Sequence, residues 1–157
     1  MTDSEIIDRT RAFLGEKALE VTNPAPRRVF LKIAPADLTA SVTFLKEQLG
    51  FAYLATISGV DDKEDFEILY HFANHDSCVN IRTRVPKVDP RVDSITPVIP
   101  GAILYEREIQ EMFGLVVERI PDPRRLVLPD DWPAENYPLR KDWTFTRPEE
   151  RIPGGKT

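Results

Sequence analysis

The placement of proline most limits what this chain can fold into. Of its 14 prolines, eleven lie from Pro86 onward and only three precede that residue. Proline cannot donate a backbone hydrogen bond and it interrupts helices, so long helices and strands are expected before Pro86 and short ones after it. The pattern predicts a folded domain followed by a segment without regular structure.

Two helices are predicted before Pro86. Thr2 and Glu5 have the spacing of a capping box, which predicts an N-terminal helix ending near Gly15. Residues 38–49 carry leucine and valine at helical spacing and are followed by Gly50, a residue type that often terminates helices. Each helix therefore has one apolar face to bury.

Three or four strands are predicted in the same region. Apolar and polar residues alternate over 29–33, and again over 66–73 and 78–85, which read as the two strands of a hairpin. The run 51–58 is almost continuously apolar, which is typical of a strand at the centre of a sheet or covered on both faces. We therefore expect a two-layer α+β domain over residues 1–117, with a small mixed or antiparallel sheet and helices on one face.

One further helix fits between the glycines of residues 101–114. Four apolar side chains share one arc of this helix: Tyr105, Ile109, Met112 and Phe113. Glu106 and Glu108 fall at the two margins of that arc, and Glu111 is one turn from Arg107, close enough for an ion pair. These charges are expected either to face solvent or to border a docking surface.

Residues 118–157 are predicted to form an extended C-terminal docking tail. Residues 121–143 contain five prolines together with both tryptophans, a composition too aromatic for a disordered linker. Arginine, tryptophan and tyrosine, which are enriched at protein interfaces, alternate through this stretch. The alternative is a tail that folds back over its own sheet.

Composition argues against several classes of function. The net charge is −5 and no run of Lys or Arg exceeds two residues, so nucleic acid is not expected as a partner. The N-terminus carries acids where a signal peptide would carry positive charge, and no stretch approaches 18 apolar residues. Neither a secretion signal nor a membrane span is therefore predicted.

No catalytic or metal-binding motif is present. The single Cys78 excludes an internal disulfide and a cysteine-based metal site, and it is expected to be a small buried residue. His71 and His75 are expected to be ordinary hairpin residues, and the adjacent acids Asp130 and Asp131 lack a third acidic ligand at a known spacing. A competing hypothesis is a free-standing small enzyme or metal-binding domain that uses Glu106, Glu108 and His71.

Several ordered blocks near the C-terminus resemble the signature of the thirty-kilodalton subunit family of respiratory complex I. That family includes the equivalent subunit of energy-converting, membrane-bound nickel-iron hydrogenases, formate hydrogenlyases and related archaeal complexes. The blocks are Tyr105-Glu106-Arg107-Glu108, Met112-Phe113-Gly114, Pro121-Asp122, Arg124-Arg125-Leu126, Leu128-Pro129-Asp130-Asp131-Trp132 and Pro138-Leu139-Arg140-Lys141-Asp142.

The resemblance implies a non-catalytic accessory subunit in the hydrophilic arm of a complex I-like oxidoreductase that couples electron transfer to ion translocation. Such a subunit binds no cofactor; neighbouring subunits hold iron–sulfur clusters and either a quinone site or a nickel-iron centre. It lies peripherally on the cytoplasmic side of the membrane and packs against the large catalytic subunit and neighbouring iron–sulfur subunits. Residues 57–72 and 132–143 are more similar to the hydrogenase-type or archaeal branch, which is the alternative.

The residues expected at this interface come from the signature blocks and the tail. Arg124, Arg125, Arg140 and Lys141 are expected to bind carboxylates or carbonyls of the large subunit, with Trp132 and Leu139 as apolar anchors. The full predicted set is Glu106, Arg107, Glu108, Phe113, Gly114, Arg124, Arg125, Leu128, Pro129, Asp131, Trp132, Tyr137, Pro138, Leu139, Arg140, Lys141 and Asp142.

Overall fold

A computed structural model describes residues 1–144 of the chain. In chain order its helices and strands are α1 (Asp3–Leu14), β1 (Ala18–Ala25), β2 (Arg28–Ile33), α2 (Leu38–Leu49), β3 (Tyr53–Asp62), β4 (Asp65–Ala73), β5 (Cys78–Pro86), β6 (Arg91–Asp93), α3 (Ile103–Phe113) and β7 (Val116–Glu118). No helix within these 144 residues has both the length and the apolar character needed to cross a membrane.

The first two helices form where their sequence signals place them. The Thr2 hydroxyl accepts a hydrogen bond from the Glu5 backbone N–H, and the Glu5 carboxylate accepts one from the Thr2 N–H, so the predicted capping box is confirmed. α2 ends at Gly50, whose φ of 76° lies in the left-handed region that glycine reaches without strain. Both helices contribute apolar residues to the core, among them Ile6, Leu14, Val42 and Leu45.

Five strands form a mixed sheet in the order β1-β2-β5-β4-β3, in which β2 and β5 run parallel and the other neighbours are antiparallel. Along one row of this sheet, Leu31, Ile81 and Tyr70 lie side by side and each is at most 1% exposed. The apolar residues of this face share one core cluster with residues of α1, α2 and α3. The predicted α+β class, with helices on one face of the sheet, is confirmed.

Two details of the strand prediction are wrong. β1 was not predicted, because an edge strand with mostly exposed side chains and with Pro24 inside it shows no apolar alternation. The run 51–58 was expected to lie at the centre of the sheet or to be covered on both faces, yet β3 is an edge strand in which Tyr53 is 66% exposed. The sequence pattern predicted the strand correctly but not its position at the edge of the sheet.

α3 packs across the β3 side of the sheet, and β6 and β7 form a short parallel pair beside it. The Phe113 ring meets the Phe66 ring edge-on, with centroids 5.8 Å apart. A Cβ atom at Gly59 would lie 2.5 Å from the Phe113 ring, so only glycine lets β3 approach the helix this closely. The third predicted helix is thus confirmed, and it is fixed to the sheet by aromatic contacts.

We define the C-terminal segment as residues 119–144. It contains no helix or strand, and none of its residues is buried. The predicted division between residues 117 and 118 falls inside β7 and stays a prediction, and residues 145–157 of the predicted tail lie outside the described residues. The segment runs back along α3, which is the fold-back alternative raised by the sequence, although it covers a helix rather than the sheet face.

Candidate docking surface

Glu106 is the innermost charge of α3. Its carboxylate is 0% exposed and accepts hydrogen bonds from the Ser94 hydroxyl and the Ile95 backbone N–H, both at 2.7 Å. Burial raises the pKa of Glu106 above its ordinary value, although these two hydrogen bonds act in the opposite direction. Glu106 therefore does not face solvent, which was one of its two expected environments, because the loop after β6 covers this side of the helix.

Arg107 and Glu111 fasten the C-terminal segment to α3 rather than pairing with each other as predicted. The Arg107 guanidinium donates to the backbone carbonyls of Arg124 and Arg125. Glu111 accepts hydrogen bonds from three consecutive backbone N–H groups, those of residues 126–128. Two side chains one helical turn apart thus bond the carbonyl and N–H groups of an extended backbone. These bonds hold the segment along the helix.

Two arginines of the segment shape its own backbone. Arg124 makes two hydrogen bonds of 2.7 Å to the Asp122 carboxylate and holds the pKa of Asp122 well below its ordinary range. Arg125 donates to the carbonyls of Pro129 and Trp132, each at 2.9 Å, so the chain bends around its guanidinium. Both groups were expected to bind another subunit, and the structure gives each of them partners inside this chain.

Arg140 attaches the end of the segment to the C-terminus of α3. Its Nε donates to the carbonyl oxygen of Phe113 at 2.6 Å, and its guanidinium lies over the rings of Tyr137 and Phe66 at 4.3 and 5.1 Å. Gly114 has a φ of 71°, and a Cβ atom there would lie 2.5 Å from the Tyr137 ring. Glycine is thus required at this position both to end the helix and to admit Tyr137.

Asp61, which is 3% exposed at the end of β3, holds the segment from the sheet side. Its carboxylate accepts the Lys141 backbone N–H at 2.9 Å and pairs with the Lys87 ammonium at 2.5 Å. Burial alone would raise the pKa of Asp61, but the bonds and charges of Lys87 and Lys141 outweigh burial and lower it. Sequence reasoning missed this residue because the predicted strand covered residues 51–58, whereas β3 continues to Asp62.

The residues of the competing metal-site or enzyme hypothesis are not brought together. His71 lies on the open face of the sheet, 3.1 Å from the Ser58 hydroxyl and 2.7 Å from the Asn80 side-chain oxygen. Glu106, in contrast, is a residue of α3 that is buried against the loop after β6. No group of three His, Cys, Asp or Glu side chains within residues 1–144 has the proximity to hold a metal ion. Cys78 is exposed, which corrects its expected burial.

The signature charges and aromatics thus have defined positions in the fold. Comparison with known families gives a match over residues 31–149 to the family described as "Respiratory-chain NADH dehydrogenase, 30 Kd subunit". This chain belongs to that family. The resemblance read from the signature blocks is confirmed.

Relatives within the thirty-kilodalton subunit family come from several kinds of complex. The chain is 38% identical over 142 residues to a subunit of the F(420)H(2) dehydrogenase of Methanosarcina mazei, covering 88% of this chain and 89% of that protein. It is 37% identical over 146 residues to formate hydrogenlyase subunit 5 of Escherichia coli, covering 82% of this chain. The chain spans only 26% of the length of this second relative.

The fold also matches a solved structure, that of the membrane-bound sulfane sulfur reductase, an archaeal respiratory membrane complex. The TM-score is 0.80 and the sequence identity 23%, over 90% of this chain and 85% of the matched chain. At this identity the match demonstrates a shared fold.

The family signature in this chain therefore has an internal structural role. Four of its charges hold other parts of the same chain: Glu106, Arg107, Arg124 and Arg125. Phe113 and Gly114 contact the segment. Within the segment, four signature residues are half-buried: Leu128, Trp132, Tyr137 and Pro138. The side chains left exposed include Glu108, Pro129, Asp131, Leu139, Lys141 and Asp142.

Proposed function

We propose that this chain is a non-catalytic accessory subunit in the hydrophilic arm of a complex I-like, membrane-bound oxidoreductase that couples electron transfer to ion translocation. It docks on the large catalytic subunit, and it lies peripherally on the cytoplasmic side of the membrane. The redox centres, iron–sulfur clusters with a quinone site or a nickel-iron centre, belong to neighbouring subunits. Membership of the family and the shared fold support this role.

The observation that carries the proposal is an exposed apolar surface in a segment that the chain itself holds in place. Leu126 and Leu139 are 42% and 54% exposed, Val127 is 56% exposed, and Leu104 on α3 is 52% exposed. Arg107, Glu111 and Arg140 fix the backbone beneath these side chains before any partner binds. A pre-ordered surface of this kind loses little conformational entropy on docking, which favours stable association with another subunit.

A second candidate places the same subunit in a nickel-iron hydrogenase or formate hydrogenlyase type of complex instead of a quinone-reducing one. The specific support is the similarity to formate hydrogenlyase subunit 5 over 82% of this chain. Both candidates use the same docking surface. They differ in which large subunit is purified together with the chain from native membranes.

Replacing Leu126 and Leu139 together by serine tests the docking surface. The double variant of the full, affinity-tagged chain is expressed in its host, and the large subunit recovered from detergent-solubilised membranes is quantified by mass spectrometry. Because buried apolar contacts at an interface centre carry much of the binding energy, recovery is expected to fall about tenfold or more.

The matched control is Leu19→Ser, which makes the same change at an apolar side chain that is 61% exposed on β1, at the opposite edge of the sheet from β3. It should leave recovery of the large subunit unchanged. Thermal unfolding of each purified chain verifies that the domain stays folded, since all three side chains are solvent-exposed. Normal recovery with the Leu126 and Leu139 double variant would contradict docking through this surface.

A further inference from the structure

A hollow of about 350 Å³ lies on the open face of the sheet, the face turned away from the helices. Outward-pointing side chains of neighbouring strands stand side by side there, and Phe30 of β2, Asn80 of β5 and His71 of β4 form one such row. Ala55 and Ala73 also line the hollow, and their short side chains leave the space beside this row open. The hollow is thus on the opposite side of the sheet from α3 and the segment that runs along it.

Hydrogen bonds fix the polar members of this row. Asn80 is 6% exposed, and its Nδ2 donates to the Val29 carbonyl at 3.3 Å, which leaves Oδ1 facing the His71 ring. Because Oδ1 can only accept, the imidazole carries its hydrogen on Nδ1, 2.7 Å away, and Nε2 accepts from the Ser58 hydroxyl at 3.1 Å. Both ring nitrogens are therefore in use, whereas Asn80 keeps a second Nδ2 hydrogen that no residue within 1–144 accepts.

Arg28 gives the hollow a positive charge that nothing in the described chain neutralises. No Asp, Glu or Lys lines the hollow, and the exposed Arg28 guanidinium makes no hydrogen bond or ion pair with the rest of residues 1–144. The acids that contact the turns at this end of the sheet bind other groups, since Asp3 accepts the Ser77 hydroxyl and Asp76 pairs with the N-terminal amine. The unused groups of the hollow are therefore a cation and a buried N–H donor.

A carboxylate is the group that satisfies these donors. The planar guanidinium of arginine can bind both oxygens of a carboxylate, and such charge-assisted bonds are stronger than neutral ones. A wholly apolar side chain would take water from the Arg28 guanidinium and the Asn80 N–H without replacing their hydrogen bonds, which costs free energy. A lysine or arginine would be repelled by Arg28. The methylene groups of an aspartate or glutamate can lie against the Phe30 ring and the Ala73 methyl group.

We infer that the hollow receives an aspartate or glutamate side chain of a second neighbouring subunit, distinct from the large subunit that docks on the C-terminal segment. The inference rests on the proposed function, because it requires the chain to be part of a complex. It goes beyond that function by assigning a second contact, on the opposite face of the sheet, and the chemical group that makes it. The chain is then held between two partners.

Zero-length cross-linking tests this contact, because a carbodiimide joins an amine only to a carboxylate that touches it. The full tagged chain carrying Arg28→Lys keeps the positive charge and gains an amine at an exposed position. The complex is isolated from detergent-solubilised membranes of its host and treated with carbodiimide, and the linked peptides are sequenced by mass spectrometry. We expect an amide bond between the substituted lysine and an aspartate or glutamate of a subunit other than the large one.

The matched control is Arg28→Gln, which has neither the charge nor the amine. It should give no link at this position, and recovery of the linked subunit is expected to fall about tenfold because its carboxylate loses its partner. Recovery of the large subunit should stay unchanged, since the C-terminal segment lies on the other side of the sheet. Thermal unfolding of both purified variants verifies that the domain stays folded.

The results separate this inference from the proposed function. A link to a carboxylate of a second subunit, together with loss of that subunit in the Arg28→Gln variant, supports the inference. A complete complex without a link at residue 28, a link only to this chain or to the large subunit, or unchanged recovery with glutamine overturns it and leaves the docking on the large subunit standing. If the unsubstituted tagged chain recovers no other subunit, the proposed function itself fails.

Discussion

The sheet domain and the C-terminal segment are held in place by different forces. In the sheet, apolar side chains such as Leu31, Ile68 and Ile81 are at most 1% exposed, and backbone ladders join all five strands. No residue of the segment is buried, and its backbone is fixed by the side chains of Arg107, Glu111, Arg140 and Asp61. The domain is therefore stabilised mainly by hydrophobic burial, and the segment by a few polar attachments.

This difference means that the two regions can respond separately to mutation and to pH. Both tryptophans, Trp132 and Trp143, lie in the segment with ring centroids 6.4 Å apart. Tryptophan emission therefore reports on the segment alone, while far-ultraviolet circular dichroism reports on the helices and the sheet. Measuring both signals on one variant distinguishes a change in the segment from a change in the domain.

The largest effect is expected from Ile81→Ala in β5. Ile81 is 0% exposed and lies between Leu31 and Tyr70 in the sheet, so the change leaves a cavity in the core. We expect the free energy of unfolding to fall by about 3 kcal/mol, measured by urea denaturation with circular dichroism. Val88→Ala, at a 93% exposed site, serves as control, and an equal effect of the two changes would contradict the assigned core.

A smaller effect is expected from Gly114→Ala, compared with Gly50→Ala. Both glycines end helices with positive φ, of 71° and 76°, but only a Cβ at residue 114 meets the segment, since nothing lies within 4 Å of one at residue 50. Each variant should lose about 1 kcal/mol from backbone strain. Gly114→Ala should lose about 1 kcal/mol more and shift tryptophan emission, because Tyr137 is displaced.

Measurement of both variants by urea denaturation and fluorescence isolates the contact between the segment and the helix. Gly50→Ala should leave the emission of the folded protein unchanged. If the two variants lose equal stability and neither alters the emission, the segment is not packed against Gly114 as described.

The smallest effect is expected from Asp61→Asn, and it depends on pH. The pKa of Asp61 is lowered in the folded chain, so its contribution to stability is present above the ordinary pKa of about 4 and is lost as pH falls through the folded value. Acidification below about pH 4 should therefore loosen the segment of the native chain, detected as a change in tryptophan emission before the circular dichroism changes.

Asp61→Asn should show the loosened emission already at neutral pH, at a cost of about 1 kcal/mol, and should flatten its pH dependence below about pH 4. Asp62→Asn is the matched control, because the Asp62 carboxylate is 42% exposed and pairs with Arg84 rather than with a residue of the segment. Simultaneous loss of both signals on acidification would contradict the separate attachment of the two regions.

Local sequence signals predicted most of the fold. The capping box at Thr2, the glycine after α2 and the alternation over β4 and β5 each depend on neighbours along the chain, and the structure confirms all of them. Strand order depends on which strands meet, and the apolar run in β3 carried no information about that. The edge strand β1 lacked the alternation that predicts a strand.

The candidate surface was less accessible to sequence reasoning, because its partners lie far apart along the chain. A helical projection assigned Glu106 to a margin of α3, since it contains no information about the loop at Ser94 that covers this residue. Arg107 and Glu111 have the spacing of an ion pair, and only the fold shows that an extended backbone lies across both. The residue types of the surface were recognised, whereas the directions of their bonds were not.

The parallel pairing of β2 with β5 also bears on how the chain is made. β2 lies between β1 and β5 in the sheet, and Val29 is paired with Val79, so α2, β3 and β4 must all be synthesised before this pairing can form. Such non-local pairing slows folding, and an unpaired strand edge is exposed in the meantime. During synthesis, the free edge of β2 therefore stays unpaired until β5, which ends at residue 86, has left the ribosome. This is the interval in which a chaperone would protect the chain most.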